Sequence, residues 1–199
     1  MKRRVIPFVT VFILATGMAF AQTSGDISAN LTGFFTDSTA GNGIVQTPTN
    51  SAGALVSGRF NFGRFSAVEA NYSYTKNSQQ YLLPFFNFTE VQAGVHEVTG
   101  AYVLKLGYGP FRPFLLAGGG ILVFDPTSAD NALLFAVSRQ TRPAFLYGAG
   151  ADFSINRLLG VRAQFRGLVY KAPSFGESSL DTGSAVRTVE PSIGLIFKF

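Results

Sequence analysis

Beyond its first twenty residues the chain alternates polar and apolar side chains with period two, in eight segments of roughly ten residues. From Ile27 to Phe35, Ser28, Asn30 and Thr32 share one face and Ile27, Ala29, Leu31 and Phe35 the other. From Gly53 to Phe62, Ser57, Arg59 and Asn61 oppose Val56, Phe60 and Phe62; in the next segment Glu69, Asn71 and Ser73 oppose Val68, Ala70, Tyr72 and Tyr74. From Val95 to Leu106, Glu97, Thr99 and Lys105 oppose Val98, Tyr102, Leu104 and Leu106. The fifth segment, Phe111 to Phe124, alternates least. From Ala144 to Ser154, Asp152 and small residues oppose Phe145, Tyr147, Ala149, Ala151 and Phe153. Arg162, Gln164 and Arg166 then oppose Val161, Phe165 and Val169, and from Ala185 to Phe199, Thr188, Glu190, Ser192 and Lys198 oppose Val189, Ile193, Leu195, Phe197 and Phe199.

The connections sort by length. Three are tight turns, at Gly63-Arg64, Tyr108-Gly109-Pro110 and Ile155-Asn156-Arg157, and four are long and polar or irregular, at 36–52, 75–93, 125–142 and 171–184. Short and long alternate strictly, so all short turns fall at one end of the sheet. This predicts an all-β fold, an eight-stranded antiparallel up-and-down transmembrane β-barrel with short periplasmic turns, four long extracellular loops and both termini periplasmic. A soluble lipocalin-like barrel is also eight-stranded, but it has no reason to segregate loop lengths by end or to turn its apolar face outward. Past the leader, no window approaches eighteen uninterrupted apolar residues, which excludes a membrane-spanning helix there.

The leader sets the expected compartment. Lys2-Arg3-Arg4 is a basic n-region, Val5 to Ala15 an apolar stretch interrupted by Pro7, and Ala19-Phe20-Ala21 an A-x-A cleavage pattern. Residues 1–21 are therefore read as a cleaved signal peptide and 22–199 as one barrel domain. The formal net charge of +5 then falls to +2, with 13 basic against 11 acidic residues, which removes the argument for a nucleic-acid partner. Charged residues make up 14% of the chain, against about 25% in ordinary soluble domains. With no Cys and one His there is no disulfide framework, thiolate metal site or multi-histidine centre.

Phe199, preceded by alternating Val189, Ile193, Leu195 and Phe197, carries the most specific likeness: the mature chain resembles the small eight-stranded outer-membrane barrels of the OmpA/OmpX type. The resemblance implies that Ile193, Leu195, Phe197 and Phe199 form the signal read by the barrel-assembly machinery and periplasmic chaperones. It places the protein in outer-membrane lipid and lipopolysaccharide of a Gram-negative cell envelope. Pro191 interrupts the alternation and is read as a bulge or an outward-facing position. The two-domain relatives add a peptidoglycan-binding domain after the barrel, and the chain ends at the eighth segment, so cell-wall tethering is not implied. Gly58, Gly100, Gly118, Gly120, Gly148 and Gly167 are expected where neighbours crowd in a narrow barrel, and Tyr72, Tyr74, Tyr102, Tyr147 and Tyr170 are expected in the interfacial girdle.

The inferred lumen holds Arg59, Lys105, Arg162, Arg166 and Lys198 against Glu69, Glu97, Asp152 and Glu190. A barrel of this size is just wide enough for its side chains to fill, so the favoured reading is a paired network that plugs it. The alternative is a porin-like narrow channel or transporter for ions or small or hydrophobic solutes. A lipid-modifying enzyme is a distant third. The outer-membrane lipid A deacylases use His-x-Ser, whereas here the only histidine stands in His96-Glu97-Val98, and strand parity turns it away from Glu97. No catalytic, cofactor or metal-ligand residues are assigned. The second long loop carries an apolar run, Tyr81, Leu82, Leu83, Phe85, Phe86 and Phe88, a candidate patch for an extracellular partner; the competing reading extends the flanking strands so that the run packs on Ala132 to Val137.

Overall fold

The computed structural model describes residues 24–83, 86–107, 109–129, 138–176 and 180–199. The leader, Phe85 and the segment Ala132 to Val137 lie outside the described residues, as do the side chains of Leu83, Phe86 and Phe88.

Ten strands occur among these residues: β1 Ser24–Thr36, β2 Thr39–Gly41, β3 Ile44–Pro48, β4 Ser51–Asn61, β5 Ser66–Leu83, β6 Phe86–Lys105, β7 Phe111–Ala129, β8 Gln140–Ser154, β9 Leu159–Lys171 and β10 Ala185–Lys198. Eight of them close a barrel in the order β5-β4-β1-β10-β9-β8-β7-β6, with β5 pairing back onto β6, and the β2–β3 hairpin attaches through β3 to the far end of β5. Every pairing is antiparallel. Closure leaves no free edge in the barrel wall, the condition for burying backbone N–H and C=O groups in hydrocarbon. No described helix is long and apolar enough to cross a membrane.

The two faces of the wall are inverted relative to a soluble protein. Ser28 is fully buried while Leu31 is 75% exposed, and Ile27, Phe60, Tyr102, Phe145, Phe165, Ile193, Leu195 and Phe197 join Leu31 outside. Burial alternates residue by residue along β1, β4 and β10, as the period-two pattern predicts. Gly118 and Gly120 face inward against β6. A Cβ at Gly118 would strike the carbonyl oxygen of Gly100, and one at Gly120 that of Val98. Glycine at both lets β7 lie close to its neighbour.

Several expectations require correction. The segment 75–93 is not a loop but an extension of the flanking strands, as the competing reading has it: β5 and β6 pair out to Tyr81↔Thr89 and Leu83↔Phe86. Alternation continues there, with Thr75, Asn77 and Gln79 inside, but the outward Lys76, Ser78 and Gln80 are polar as well, so the hydropathy contrast disappears. The segment 36–52 contains the β2–β3 hairpin, and within 171–184 the described Ala172, Phe175 and Leu180 are buried. Tyr170 points into the lumen and not into a girdle, whereas Tyr72 and Tyr102 are about half exposed on the outer wall. Gly58 and Gly100 meet no crowding neighbour. Pro191 sits on the outward side of a β9–β10 ladder whose register is unbroken, so no bulge forms there.

Candidate functional site

Strand register places opposite charges directly across from one another inside the turn end of the barrel. Asp26 pairs with Arg59 and Lys198, Arg59 with Glu69, and Asp152 with both Arg112 and Arg162. The side chains converge across the lumen. Arg162 donates through Nε to Asp152 Oδ1 at 2.7 Å, through Nη2 to Asp26 Oδ1 at 2.8 Å and through Nη1 to Glu69 Oε2 at 3.3 Å. Arg59 reaches Glu69 Oε2 at 2.6 Å and Asp152 Oδ2 at 2.9 Å. Its guanidinium lies 4.2 Å from the ring centroid of Phe114, which Arg162 approaches at 5.6 Å. Arg59, Glu69 and Arg162 are essentially inaccessible to solvent. Desolvation at such sites offsets most of the Coulombic gain, so the cluster contributes little net stability while each member makes the others tolerable.

A second cluster lies further along the lumen. Arg166 Nη2 binds Glu97 Oε2 at 2.8 Å and also Glu190 Oε2, and all three side chains are fully buried. Ser73 and Thr99 donate to the Glu97 carboxylate at 2.9 and 2.8 Å. Asn30, Ser57, Asn71, Gln164 and Ser192, all buried, add uncharged polar groups to the interior.

Towards the loop end an apolar cluster fills one side of the interior, facing the buried polar Gln46, Thr75, Asn77 and Gln79. Phe34, Leu122, Phe124, Leu146, Leu168, Phe175 and Leu180 are buried to within about a hundredth of full enclosure. The Phe124 ring lies 5.8 Å from Tyr170 and meets Phe175 edge-on at 6.3 Å. Phe175 takes a left-handed φ of 53° and Gly176 follows at 87°, a local turn that carries the Phe175 ring into the interior. Tyr81 donates to the carbonyl of Pro173 at 2.8 Å and accepts from Gln46 at 3.1 Å. Asn42 donates to the carbonyl of Asp181, and Ser184 to that of Ala40, fastening the segment to the β2–β3 hairpin. The Gly183 N–H donates to Asp181 and, with Lys171 beside it, holds that carboxyl below the usual carboxylate range.

Seven of the nine residues named for the lumen thus meet in two ion-pair clusters: Arg59, Glu69, Asp152 and Arg162 in one, Glu97, Arg166 and Glu190 in the other. Lys105 and Lys198 stand apart at the turn-end mouth, bound to neutral oxygens. Asp26 and Arg112 were missed. Asp26 continues the parity of Ser28 and Asn30 one position before the predicted segment, and Arg112 is masked by Phe111, Pro113 and Phe114 in the least alternating strand. Ile193, Leu195, Phe197 and Phe199 all point outward. Of the apolar run, Tyr81 is buried in the lumen and so leaves the proposed patch, whereas Leu82 is exposed and pairs with exposed Val45. His96 lies on the outer wall, its Nδ1 2.9 Å from the Tyr72 hydroxyl, away from Glu97. No cluster able to hold a metal ion occurs among the described residues.

No family model matches the chain, and no curated protein is similar to it in sequence. Solved structures are similar in fold. OprG of Pseudomonas aeruginosa superposes with a TM-score of 0.63 at 12% identity, covering 88% of this chain and 95% of that one. Neisserial surface protein A gives 0.58 at 16% identity, covering 90% of this chain and all of the other. The attachment invasion locus protein Ail of Yersinia pestis, in complex with the heparin analogue sucrose octasulfate, gives 0.57 at 16% identity with the same coverage. The chain has the fold of the small eight-stranded outer-membrane β-barrels.

Proposed function

We propose that the protein is a non-enzymatic barrel of the bacterial outer membrane that acts through its extracellular end, with a lumen closed to solutes. The observation that carries this reading is the filled interior: a charged network at one end and, at the other, a packed apolar cluster of Phe34, Leu122, Phe124, Leu146, Leu168 and Phe175 beside the buried polar Gln46, Asn77 and Gln79. In this reading residues 1–21 are removed on export, 22–199 form the barrel, and both termini and the short turns face the periplasm. Outer-membrane lipid and lipopolysaccharide contact the apolar wall, and the assembly machinery and its chaperones read Ile193, Leu195, Phe197 and Phe199. Attachment and surface proteins among the barrels of this fold support a surface-interaction role.

The β5–β6 hairpin extends well beyond the charged half, and its Leu82 is exposed and paired with the exposed Val45 of β3. Replacing residues 82–88 with a short Gly-Ser turn, leaving Tyr81 in place, tests the reading. Cells displaying the variant are expected to lose adhesion while the barrel keeps its heat-modifiable gel mobility. Unchanged adhesion with a folded barrel removes this hairpin from the proposal. A narrow channel, the alternative, requires the apolar layer to move aside.

A further inference from the structure

The turn end of the lumen opens into a cavity of about 370 Å³. Asp26 and Asp152 line it, but both carboxylates are already engaged by Arg59 and Arg162. Lys105, Arg112 and Lys198 line it too, and none of the three forms an ion pair among the described residues. Their partners are neutral. Arg112 Nη2 donates to Ser154 Oγ at 2.7 Å, and Lys198 Nζ donates to the same oxygen. Lys105 Nζ donates to Asn61 Oδ1 at 2.9 Å and to the carbonyl of Gly63 at 3.0 Å. Arg112 Nε is buried without a hydrogen-bond partner.

Two cations converging on one hydroxyl is an arrangement that a counter-anion relieves. A hydroxyl oxygen has lone pairs for both donors but brings no charge, and Asp26 and Asp152, which face Lys198 and Arg112 across the strands, are shared with Arg59 and Arg162, so the repulsion of the cations is offset only in part. An Arg fork together with ammonium groups matches an anion carrying several acceptor oxygens better than a single-atom halide. We propose that this mouth, where Arg112 and Lys198 meet at Ser154 and Lys105 lines the same cavity, is a binding site for a phosphate-class oxyanion. The anion comes either from solution or from the headgroup of a phospholipid reaching over the rim. The site does not depend on the function of the opposite end.

The test is titration of the full barrel, refolded in nanodiscs of phosphatidylcholine, with inorganic phosphate at constant ionic strength, followed by the amide resonances of Gly25, Ser154 and Leu158. Saturable shifts are expected with phosphate and not with chloride. The K105Q/K198Q variant is expected to weaken binding at least tenfold, and Arg112→Lys, which keeps the charge but removes the fork, to weaken it less. Lys171→Gln, at the opposite end beside Asp181, is expected to leave it unchanged. Nanodiscs containing phosphatidylglycerol separate the sources: the same resonances shifted before phosphate is added assign the site to a lipid headgroup, and unshifted resonances assign it to a soluble anion. Linear, unsaturable shifts, or equal affinity in K105Q/K198Q with wild-type mobility on gels, overturn the proposal.

Discussion

The two halves of the lumen are closed by different physics. Around Arg59 and Arg162 the interior is filled by ion pairs that hold one another in place, whereas around Phe124 and Leu168 it is filled by close-packed hydrocarbon. The apolar half resembles the core of a soluble protein, and loss of a side chain there costs contact area and leaves a cavity. The charged half gains little as a whole, but loss of one member strands its partners away from water. A single fold thus carries a brittle seal and a compliant one, and substitutions should respond accordingly.

The largest effect is expected for Arg162→Met, which leaves Asp26 and Asp152 short of a partner. Unfolding in urea, followed by heat-modifiable mobility in lipid, should show a loss of roughly 3–5 kcal/mol, the range for breaking a buried pair. Leu168→Ala in the apolar half should cost about 3 kcal/mol in the same assay, a cavity effect that depends on how far Phe124 and Tyr170 collapse. A smaller net change is expected when a whole cluster is neutralised: the Arg166→Met/Glu97→Gln/Glu190→Gln variant should recover most of the loss seen with Arg166→Met alone. Failure to recover would mean that the charges stabilise the barrel in their own right.

The smallest effect belongs to the fastening of the loop end. Asp181→Asn weakens the acceptor for Gly183 and is expected to cost less than about 1 kcal/mol, as for other exposed charge interactions. Because the folded state depresses this carboxyl, its contribution is complete at neutral pH and is lost as pH falls through the depressed value. A fall in the protection factor of the Gly183 amide on acidification, after the intrinsic slowing of exchange is divided out, absent in the Asn variant, checks the sign.

What the sequence revealed follows the same division. Period-two contrast exists where one face meets lipid and the other a polar lumen, so Ser28, Arg59, Glu69, Glu97, Arg162 and Arg166 were all assignable to the interior from parity. Where both faces share a polarity the contrast is lost. The outer reaches of β5 are polar inside and outside, and in β7 the inward Leu122 and Phe124 are as apolar as the outward Ile121. The apolar seal was therefore hidden, and the extended hairpin was legible only as the competing reading of the 75–93 segment. Arg59–Glu69 and Asp152–Arg162 lie across single tight turns, but the remaining partners were equally illegible, because they depend on which strands face one another across the lumen and not on spacing along the chain. Arg59 and Asp152, for example, lie 93 positions apart.

Conductance of the refolded barrel in planar bilayers tests the closed lumen most directly. The wild-type barrel is expected to give no discrete current steps, and a Phe124→Ser/Phe175→Ser variant, which wets the apolar seal, is expected to conduct more than a variant altered only at Arg59. Steps from the wild-type protein whose size changes on Arg59→Gln substitution would contradict the account and establish an open polar path through the barrel.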